Sequence, residues 1–211
     1  MGKIIVFGAG GRAGRAVVGE GVRRGHHVTA AVRDPDAHRD LEGAGVRLVA
    51  GDVTDAAAVA ELAGGHDAAV MAAYDAGARA EVFFTAAARA LVAGLAGAGV
   101  GRLVVVGLAA VLETADGAPL MDAPGFPAQH RPFCVAHAAG VGVLRGAAAA
   151  PDWVVVSPTG DFDPDGAGSG RYRTGAADAG GRVAYGDFAR AVLDEIDEPR
   201  HRGTQIGIET A

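Results

Sequence analysis

The sequence predicts an α/β fold in which one doubly wound, mostly parallel sheet carries helices on both faces. Short apolar runs alternate with longer helical segments along the 211 residues, the pattern of a parallel sheet with crossover helices. The runs are continuously apolar, as strands buried on both faces should be. A glycine-rich turn also separates the first strand from the first helix.

Seven strands are predicted, because each is a short run rich in Val, Ile or Ala, and most of them stop at a polar or Gly position. In order they are Lys3–Phe7, His27–Val32, Val46–Ala50, Asp67–Ala72, Arg102–Val106, Trp153–Val156 and Thr204–Ile208.

Five helices lie between these strands, and local signals justify each one. The first, Arg12–Arg24, has apolar residues at helical spacing and stops at Gly25. The second begins at Thr54 or Asp55, both good N-caps, and reaches Ala63. The remaining three are an Ala-rich helix, a helix with Pro132 in its first turn, and an amphipathic helix: Ala78–Ala98, Gln129–Ala150 and Tyr185–Ile196.

The chain is predicted to form one domain, with residues 1–110 as its cofactor half. Two stretches rich in Gly, Pro and Asp, at about 111–131 and 157–184, follow late strands. Ligands of open α/β sheets bind beyond the carboxyl ends of the strands. We therefore expect these two loops to form the substrate side of a site.

The segment between the first strand and the first helix predicts a dinucleotide site of the Rossmann type. Gly8 permits the tight turn, Gly10 and Gly11 let the backbone approach a pyrophosphate, and Gly14 lets the helix pack closely on the strand. Ala13 also completes the spacing G-x-G-x-x-A. The helix N-terminus adds N–H donors and a partial positive charge. The alternative is a tight turn in a fold that has lost its ligand.

The end of the second strand favours NADP over NAD. It carries Arg33, which together with Arg12 of the glycine turn could hold a 2′-phosphate. Asp34 could instead bind a ribose, but an Asp–Pro pair more often begins a turn. In a chain this rich in Arg, Arg33 could also be a solvated surface residue.

Two further strand ends are predicted to flank the cofactor. Asp52 and Val53 follow the third strand and would lie beside the adenine, although Asp52 could equally be a helix cap. Ala72 and Ala73 follow the fourth strand, where small residues suit a close approach to the cofactor.

Taken together, these segments resemble the atypical short-chain dehydrogenase/reductases. The most similar branch is the NAD(P)H-binding group of NADH-flavin reductases, related to biliverdin-IX-beta reductase and NmrA-like proteins. The resemblance covers nearly the whole chain, from the strand and glycine turn at 4–14 through Trp153–Pro158 to the helix beginning at Tyr185. It implies a nicotinamide cofactor and a small-molecule acceptor.

Typical members of the superfamily pass a proton through a Tyr-x-x-x-Lys pair and a Ser. This chain has a single lysine, Lys3, and none of its three tyrosines is followed four residues later by Lys. By alignment, His137 falls near the tyrosine position and Val111 at a serine position.

His137 is therefore the first candidate for a polar group facing the nicotinamide, with a core histidine as the alternative. His130 is the second candidate, and Tyr172 could stack on or cap a ligand. Cys134 could line the same pocket but is more often a small core residue. The remaining histidines lie near predicted turns and are predicted to be on the surface: His26, His27, His38, His66 and His201.

Composition argues against several other classes of function. The net charge is −6 without a basic stripe, so no nucleic-acid partner is expected. One cysteine excludes an internal disulfide and a multi-cysteine metal site, and no metal is predicted. No uninterrupted apolar run approaches 18 residues and no leader precedes the first strand. We expect a cytoplasmic monomer or homodimer without a membrane span.

Three functions remain open. The first is an NADPH-dependent reductase that passes hydride to a flavin, a quinone-like ring or a small carbonyl compound. The second is a non-catalytic NADP-binding sensor or regulator of the NmrA-like kind, which the missing Ser, Tyr and Lys would favour. The third is a biosynthetic enzyme that uses the fold for other carbonyl or ring chemistry.

Overall fold

The computed structural model describes all 211 residues, Met1–Ala211. It contains ten strands: β1 Lys3–Phe7, β2 His27–Val32, β3 Val46–Ala50, β4 Ala68–Met71, β5 Arg102–Val106, β6 Asp152–Pro158, β7 Asp161–Asp163, β8 Tyr172–Gly175, β9 Arg182–Ala184 and β10 Thr204–Thr210. Eight of them form one sheet in the order β3-β2-β1-β4-β5-β6-β10-β8. All neighbours are parallel except β8, which pairs antiparallel with β10 at the edge. The predicted doubly wound, mostly parallel sheet is therefore confirmed.

Five α-helices cover the two faces of this sheet: α1 Arg12–Arg23, α2 Ala56–Ala63, α3 Ala80–Ala98, α4 Arg131–Gly146 and α5 Tyr185–Asp197. On one face α3 packs between α2 and α4, and on the other α1 packs against α5. Each face has its own buried apolar cluster, so the sheet is covered on both sides as its apolar strands require.

The ends of α1 and α2 follow from local chemistry. Gly25 takes a left-handed conformation with φ +81° just after α1, as predicted. At the start of α2, the side chain of Asp55 accepts hydrogen bonds from the backbone N–H groups of Ala57 (2.8 Å) and Ala58 (3.3 Å). Asp55 rather than Thr54 is therefore the cap.

The main differences from the sequence expectations lie in the second half of the chain. Strands β7, β8 and β9 fall within the predicted loop 157–184, because each has only three or four residues and lacks the continuous apolar run of the predicted strands. They form through tertiary pairing, β7 with β9 and β8 with β10. Helix α4 is shorter than predicted, since a 3₁₀ turn over Ala128–His130 precedes it and it ends at Gly146.

Helix α3 departs from the expectation that no segment is long and apolar enough to cross a membrane. It has 19 residues with mean hydropathy 1.4, which meets that criterion by length and composition alone. In this structure α3 is a core helix, because Phe84, Ala87, Leu91 and Leu95 are buried against the sheet and its neighbours.

A buried ion pair lies at the amino end of β5, on the side of the sheet away from the glycine turn. The Arg102 guanidinium donates to Oε2 of Glu195 (2.9 Å), to the Glu195 backbone carbonyl (2.9 Å) and to that of His201 (3.1 Å). Glu195 also accepts from the backbone N–H groups of Arg200 (3.2 Å) and His201 (3.1 Å), and its Oε1 lies 2.6 Å from His201 Nδ1. Burial lowers the pKa of Arg102 from its usual value. The network joins β5, α5 and the segment before β10.

Candidate functional site

Two adjoining grooves open at the carboxyl ends of the strands. The glycine groove, of about 290 Å³, lies between the ends of β1, β2 and β4; its lining includes Phe7, Gly8, Gly10, Gly11, Arg33, His38, Asp52, Val53, Ala72, Ala73, Tyr74, Asp75 and Phe83. The loop groove, of about 700 Å³, lies between the ends of β5 and β6 and the two long loops; its lining includes Gly107, Leu108, Ala110, Leu120, Phe126, His130, Phe133, Cys134, Asp161, Phe162 and Arg182.

The glycine turn has the close packing that its sequence predicts. Gly8 has φ +81°, and a Cβ there would overlap the backbone of Ala73 at the end of β4. A Cβ on Gly14 would overlap the carbonyl oxygen of Gly8. Both positions therefore need glycine so that α1 can pack against the strand ends.

The N-terminus of α1 is free of competing groups. Its N-cap, Gly11, has extended backbone (φ −75°, ψ 165°), forms no side-chain cap, and the first turn contains no acidic residue. The first N–H groups of a helix have no partner within it, so they attract anions. Gly8, Gly10 and Gly11 line the groove at this point. The residues present therefore fit a dinucleotide pyrophosphate, with Arg12 and Ala13 supplying the first turn of the helix.

The predicted phosphate-binding arginines differ in their surroundings. Arg33 lines the glycine groove, and its Nη1 forms an ion pair with Asp75, which follows β4. Asp75 is also held by the backbone N–H of Gly77 (2.9 Å), which together with Arg33 lowers the pKa of the Asp75 carboxyl group. Arg12 is exposed, forms no ion pair and does not line the groove. Of the two, Arg33 is thus the one placed in the groove wall.

The residues expected beside the adenine and along the cofactor all line the glycine groove. Asp52 is exposed, and its Oδ1 accepts from the backbone N–H of Thr54 (2.8 Å) and from its hydroxyl (2.7 Å). It shapes the turn after β3 and does not cap α2. Val53 is buried in the wall, and Ala72 and Ala73 form the side next to β4.

Sequence reasoning missed His38, which covers the glycine turn. A Cβ on Gly10 would overlap the His38 ring. Arg15 holds this ring in place: its guanidinium donates to His38 Nδ1 (3.2 Å) and to the Gly10 carbonyl (3.0 Å), and it forms an ion pair with Asp40. The sequence does indicate that His38 lies near the cofactor, because the segment after the second strand of such a sheet begins at the end where the cofactor binds.

The prediction for His26 is also wrong. It was expected on the surface, but it is only 6% exposed.

The loop groove provides an apolar surface next to the glycine groove. The Tyr74 ring, in the wall of the glycine groove, stacks on Phe84 and lies edge-on to Phe133 of the loop groove, with centroids 5.8 and 5.0 Å apart. The groove also contains His130, which is exposed, and Cys134, whose pKa burial raises. Residues of both predicted loops, 111–131 and 157–184, line this groove at the carboxyl ends of the strands.

The structure places His137 away from both grooves. It is 5% exposed and lies 4.9 Å from Phe84, centroid to centroid, beside a void of about 30 Å³ in the core between α3 and α4. Its Nδ1 has no partner, and the Val106 carbonyl accepts from the ring. Burial lowers the pKa of His137 to about 4, a change that the Val106 carbonyl partly opposes. His137 was predicted to face a nicotinamide, but in this position it lines neither groove.

This buried imidazole should make stability depend on pH. Because the pKa of His137 is about 4 in the folded protein and about 6.5 in the unfolded chain, acid favours the unfolded state. We expect the free energy of unfolding to fall by about 2 kcal/mol between about pH 7 and about pH 5 through this group. Substituting His137→Leu should remove that part of the pH dependence in denaturant titrations, whereas His27→Gln, at an exposed histidine, should not. Equal slopes for the wild type and His137→Leu would refute the assignment.

Tyr172 is likewise outside both grooves. It lies on β8, and its hydroxyl donates to Asp194 Oδ2 of α5 at 2.8 Å. Burial, aided by Asp194, raises the pKa of Tyr172 to about 12. The tyrosine connects the edge strand to α5, a contact that a predicted loop over 157–184 does not indicate.

Comparison with known proteins is consistent with this geometry. The family model described as NAD(P)H-binding matches residues 8–199. YwnB of Bacillus subtilis is 33% identical over 214 residues, which cover 98% of this chain and 97% of that protein. Two solved structures also align over almost their full lengths. One, a Burkholderia pseudomallei protein provisionally named as exported, is 35% identical with a TM-score of 0.85, covering 99% of this chain and 100% of that one. The other, a Streptococcus pneumoniae protein provisionally named an NADH-flavin reductase, is 27% identical with a TM-score of 0.84, covering 100% of both chains.

Proposed function

The chain belongs to the NAD(P)H-binding family, and we propose that it is an NAD(P)H-dependent reductase. The acceptor would be a flavin, a quinone-like ring or a small carbonyl compound. The observation that carries the proposal is the contact between the two grooves through Tyr74 and Phe133. A dinucleotide in the first groove and a flat acceptor in the second would then be neighbours. The similarity to a protein named as an NADH-flavin reductase supports the same class of reaction.

In the glycine groove each group has a distinct task. The turn at Gly8, Gly10 and Gly11 and the start of α1 would bind the pyrophosphate. Val53 would hold the adenine, and Ala73, with its small side chain, would leave room for the rest of the dinucleotide. NAD(P)H, when bound, supplies the hydride. The protein binds and orients the two reactants, which places the reacting atoms close together.

The loop groove suits an acceptor with an apolar, flat body. Leu108, Phe126 and Phe162 supply its apolar walls, which exclude water from the acceptor. His130 is the candidate for a proton donor, because it is an exposed imidazole within this groove. Reduction of a flavin-like ring needs little side-chain assistance, so the absent Tyr–Lys pair is compatible with this chemistry.

We further propose that NADPH is preferred over NADH, because Arg33 stands in the groove wall. Its bond to Asp75 uses Nη1, so the other guanidinium nitrogens can donate to a 2′-phosphate. Replacing Arg33 by alanine should weaken NADPH binding about 10- to 100-fold, as expected for charge-assisted hydrogen bonds, and leave NADH binding nearly unchanged. The control Arg39→Ala removes an exposed arginine that pairs with Asp36 and should change neither. Equal weakening of both cofactors in titrations would refute the preference.

A panel of acceptors tests the proposed reaction. Purified protein would be mixed with NADPH and, in turn, FMN, FAD, quinones and small aldehydes, while NADPH oxidation is followed. The proposal requires saturable turnover with at least one class of acceptor. Firm NADPH binding without any turnover would refute the reductase and favour the non-catalytic sensor, which the lack of a Tyr–Lys pair also suits.

A further inference from the structure

Another pocket lies at the amino ends of the strands, opposite the carboxyl ends where the two grooves open. It is an open depression of about 400 Å³, bordered by the first residues of β1, β2 and β3 and by the turn between α2 and β4. Strands rise about 3.3 Å per residue, so the length of β2, six residues, separates this pocket from the cofactor edge by roughly 20 Å. We call it the basic pocket.

The pairing register brings its polar residues onto one face of the sheet. Lys3 pairs with His27, and Thr29 pairs with Arg47. His27 and Thr29 are two apart along β2, so all four side chains point to the same side. This is the side of Ile5 and Ala31, which pack under α2 and α3. Helix α2 ends at Ala63, which leaves room for the pocket beyond it.

Two cations in the pocket have no partner. Neither the Lys3 amino group nor the Arg47 guanidinium forms an ion pair or a side-chain hydrogen bond, and both residues are exposed, in a protein with a net charge of −6. The nearby Asp67 carboxylate accepts from the backbone N–H of Lys3 at 2.7 Å and does not line the pocket. The amino group of the chain's single lysine thus forms no ion pair, although the Asp67 carboxylate lies beside its backbone.

The rest of the pocket wall is formed by Gly65 and His66, and hydrogen bonds hold the His66 ring in place. The His66 ring lies 2.8 Å from the Thr29 hydroxyl through Nε2 and 3.1 Å from the Ala63 carbonyl through Nδ1. Gly65, with φ +74°, adds backbone without a side chain, and a Cβ there would meet nothing within 4 Å. A ligand in the pocket would therefore meet an ordered polar surface and not a set of loose side chains.

We propose that the basic pocket binds a small phosphate-bearing molecule. A lysine is a compact point charge, and an arginine presents a planar fork that matches phosphate oxygens. The lining holds five polar side chains and only two apolar ones, and with a volume of about 400 Å³ it suits a compact anion better than an apolar compound. This site is separate from the cofactor groove and does not depend on the proposed reductase activity.

Calorimetric titration with inorganic phosphate and with pyrophosphate tests the proposal. The titration uses the full chain with the substitution Gly11→Val, which blocks the glycine groove so that pyrophosphate cannot bind there. We expect one saturable site, with shifts of the Gly65 backbone amide in NMR spectra. Tighter binding of pyrophosphate than of phosphate would assign the site to polyphosphates, and equal binding would assign it to phosphate monoesters.

The matched variants decide whether these cations form the site. Lys3→Gln combined with Arg47→Gln should weaken binding at least tenfold. A control that removes two other exposed, unpaired arginines, Arg89→Gln with Arg171→Gln, changes the net charge equally and should leave binding within twofold. The absence of saturable binding, or equal loss in both double variants, would overturn the proposal.

Discussion

Replacing Gly11 by valine is expected to weaken NAD(P)H binding at least a hundredfold while the protein remains folded. The backbone of Gly11 is extended, a conformation that valine adopts readily. A Cβ there would meet only the Gly8 carbonyl oxygen, at an ordinary 3.6 Å. The added Cβ therefore fits the free protein, whereas the bulk of valine narrows the glycine groove, which Gly11 lines and where the pyrophosphate should lie.

Fluorescence titration with NADPH would measure this loss, and circular dichroism would show that the fold persists. We expect the unfolding midpoint to fall by only a few degrees, since valine is a poorer N-cap than glycine by about 1 kcal/mol. The control is Gly19→Ala, an exposed position on the same helix where a Cβ meets nothing within 4 Å. Unchanged NADPH affinity in Gly11→Val would show that the dinucleotide binds elsewhere.

Replacing Glu195 by glutamine should produce the largest loss of stability among the charged residues. The substitution keeps the shape but removes the buried carboxylate that pairs with the Arg102 guanidinium, which is 7% exposed. Only the partly exposed carboxylate of Asp152, 3.4 Å from Nη1, then remains beside it. Breaking one side of a buried ion pair costs about 3–5 kcal/mol. For a chain of this size that corresponds to a fall of roughly 6–20 °C in the unfolding midpoint.

The matched control is Glu198→Gln, three residues further along, where the carboxylate forms an exposed pair with Arg200 at 3.2 Å. An exposed pair contributes about 0–1 kcal/mol, so its midpoint should hardly move. Differential scanning calorimetry of both variants measures the contrast. A similar small change in both would mean that the Arg102 network does not hold β5 and α5 together.

The half of the sheet that runs from β3 to β5 could be predicted because the sequence of each strand is itself typical of a buried strand. The strands β1, β2, β3 and β5 begin and end where their apolar runs do. By contrast, β8 is a polar segment, Tyr-Arg-Thr-Gly, that becomes a strand only by pairing with β10. A segment of this kind has no period or composition that distinguishes it from a loop.

In the candidate site, too, some residues could be placed from the sequence and others could not. The glycine turn is local in sequence, so its residues could be assigned to the groove directly. Placing a residue of α4 in the site requires knowing which side of the helix faces the groove, and the sequence does not show this. Cys134 and His137 are only three residues apart, yet Cys134 lines the loop groove and His137 lines a void in the core. His38 was missed because its contact with Gly10 joins distant parts of the chain.

The central claim, that this fold transfers hydride between two adjoining grooves, is tested most directly by a single-turnover reaction. Protein loaded with NADPH, deuterated at one or the other C4 position, would be mixed rapidly with an acceptor found in the panel. We expect deuterium to slow the oxidation at only one of the two positions, because a bound nicotinamide would present one face of its ring to the loop groove. We expect no NADPH oxidation with Gly11→Val. NADPH that binds to the glycine groove yet stays reduced with every acceptor would contradict it.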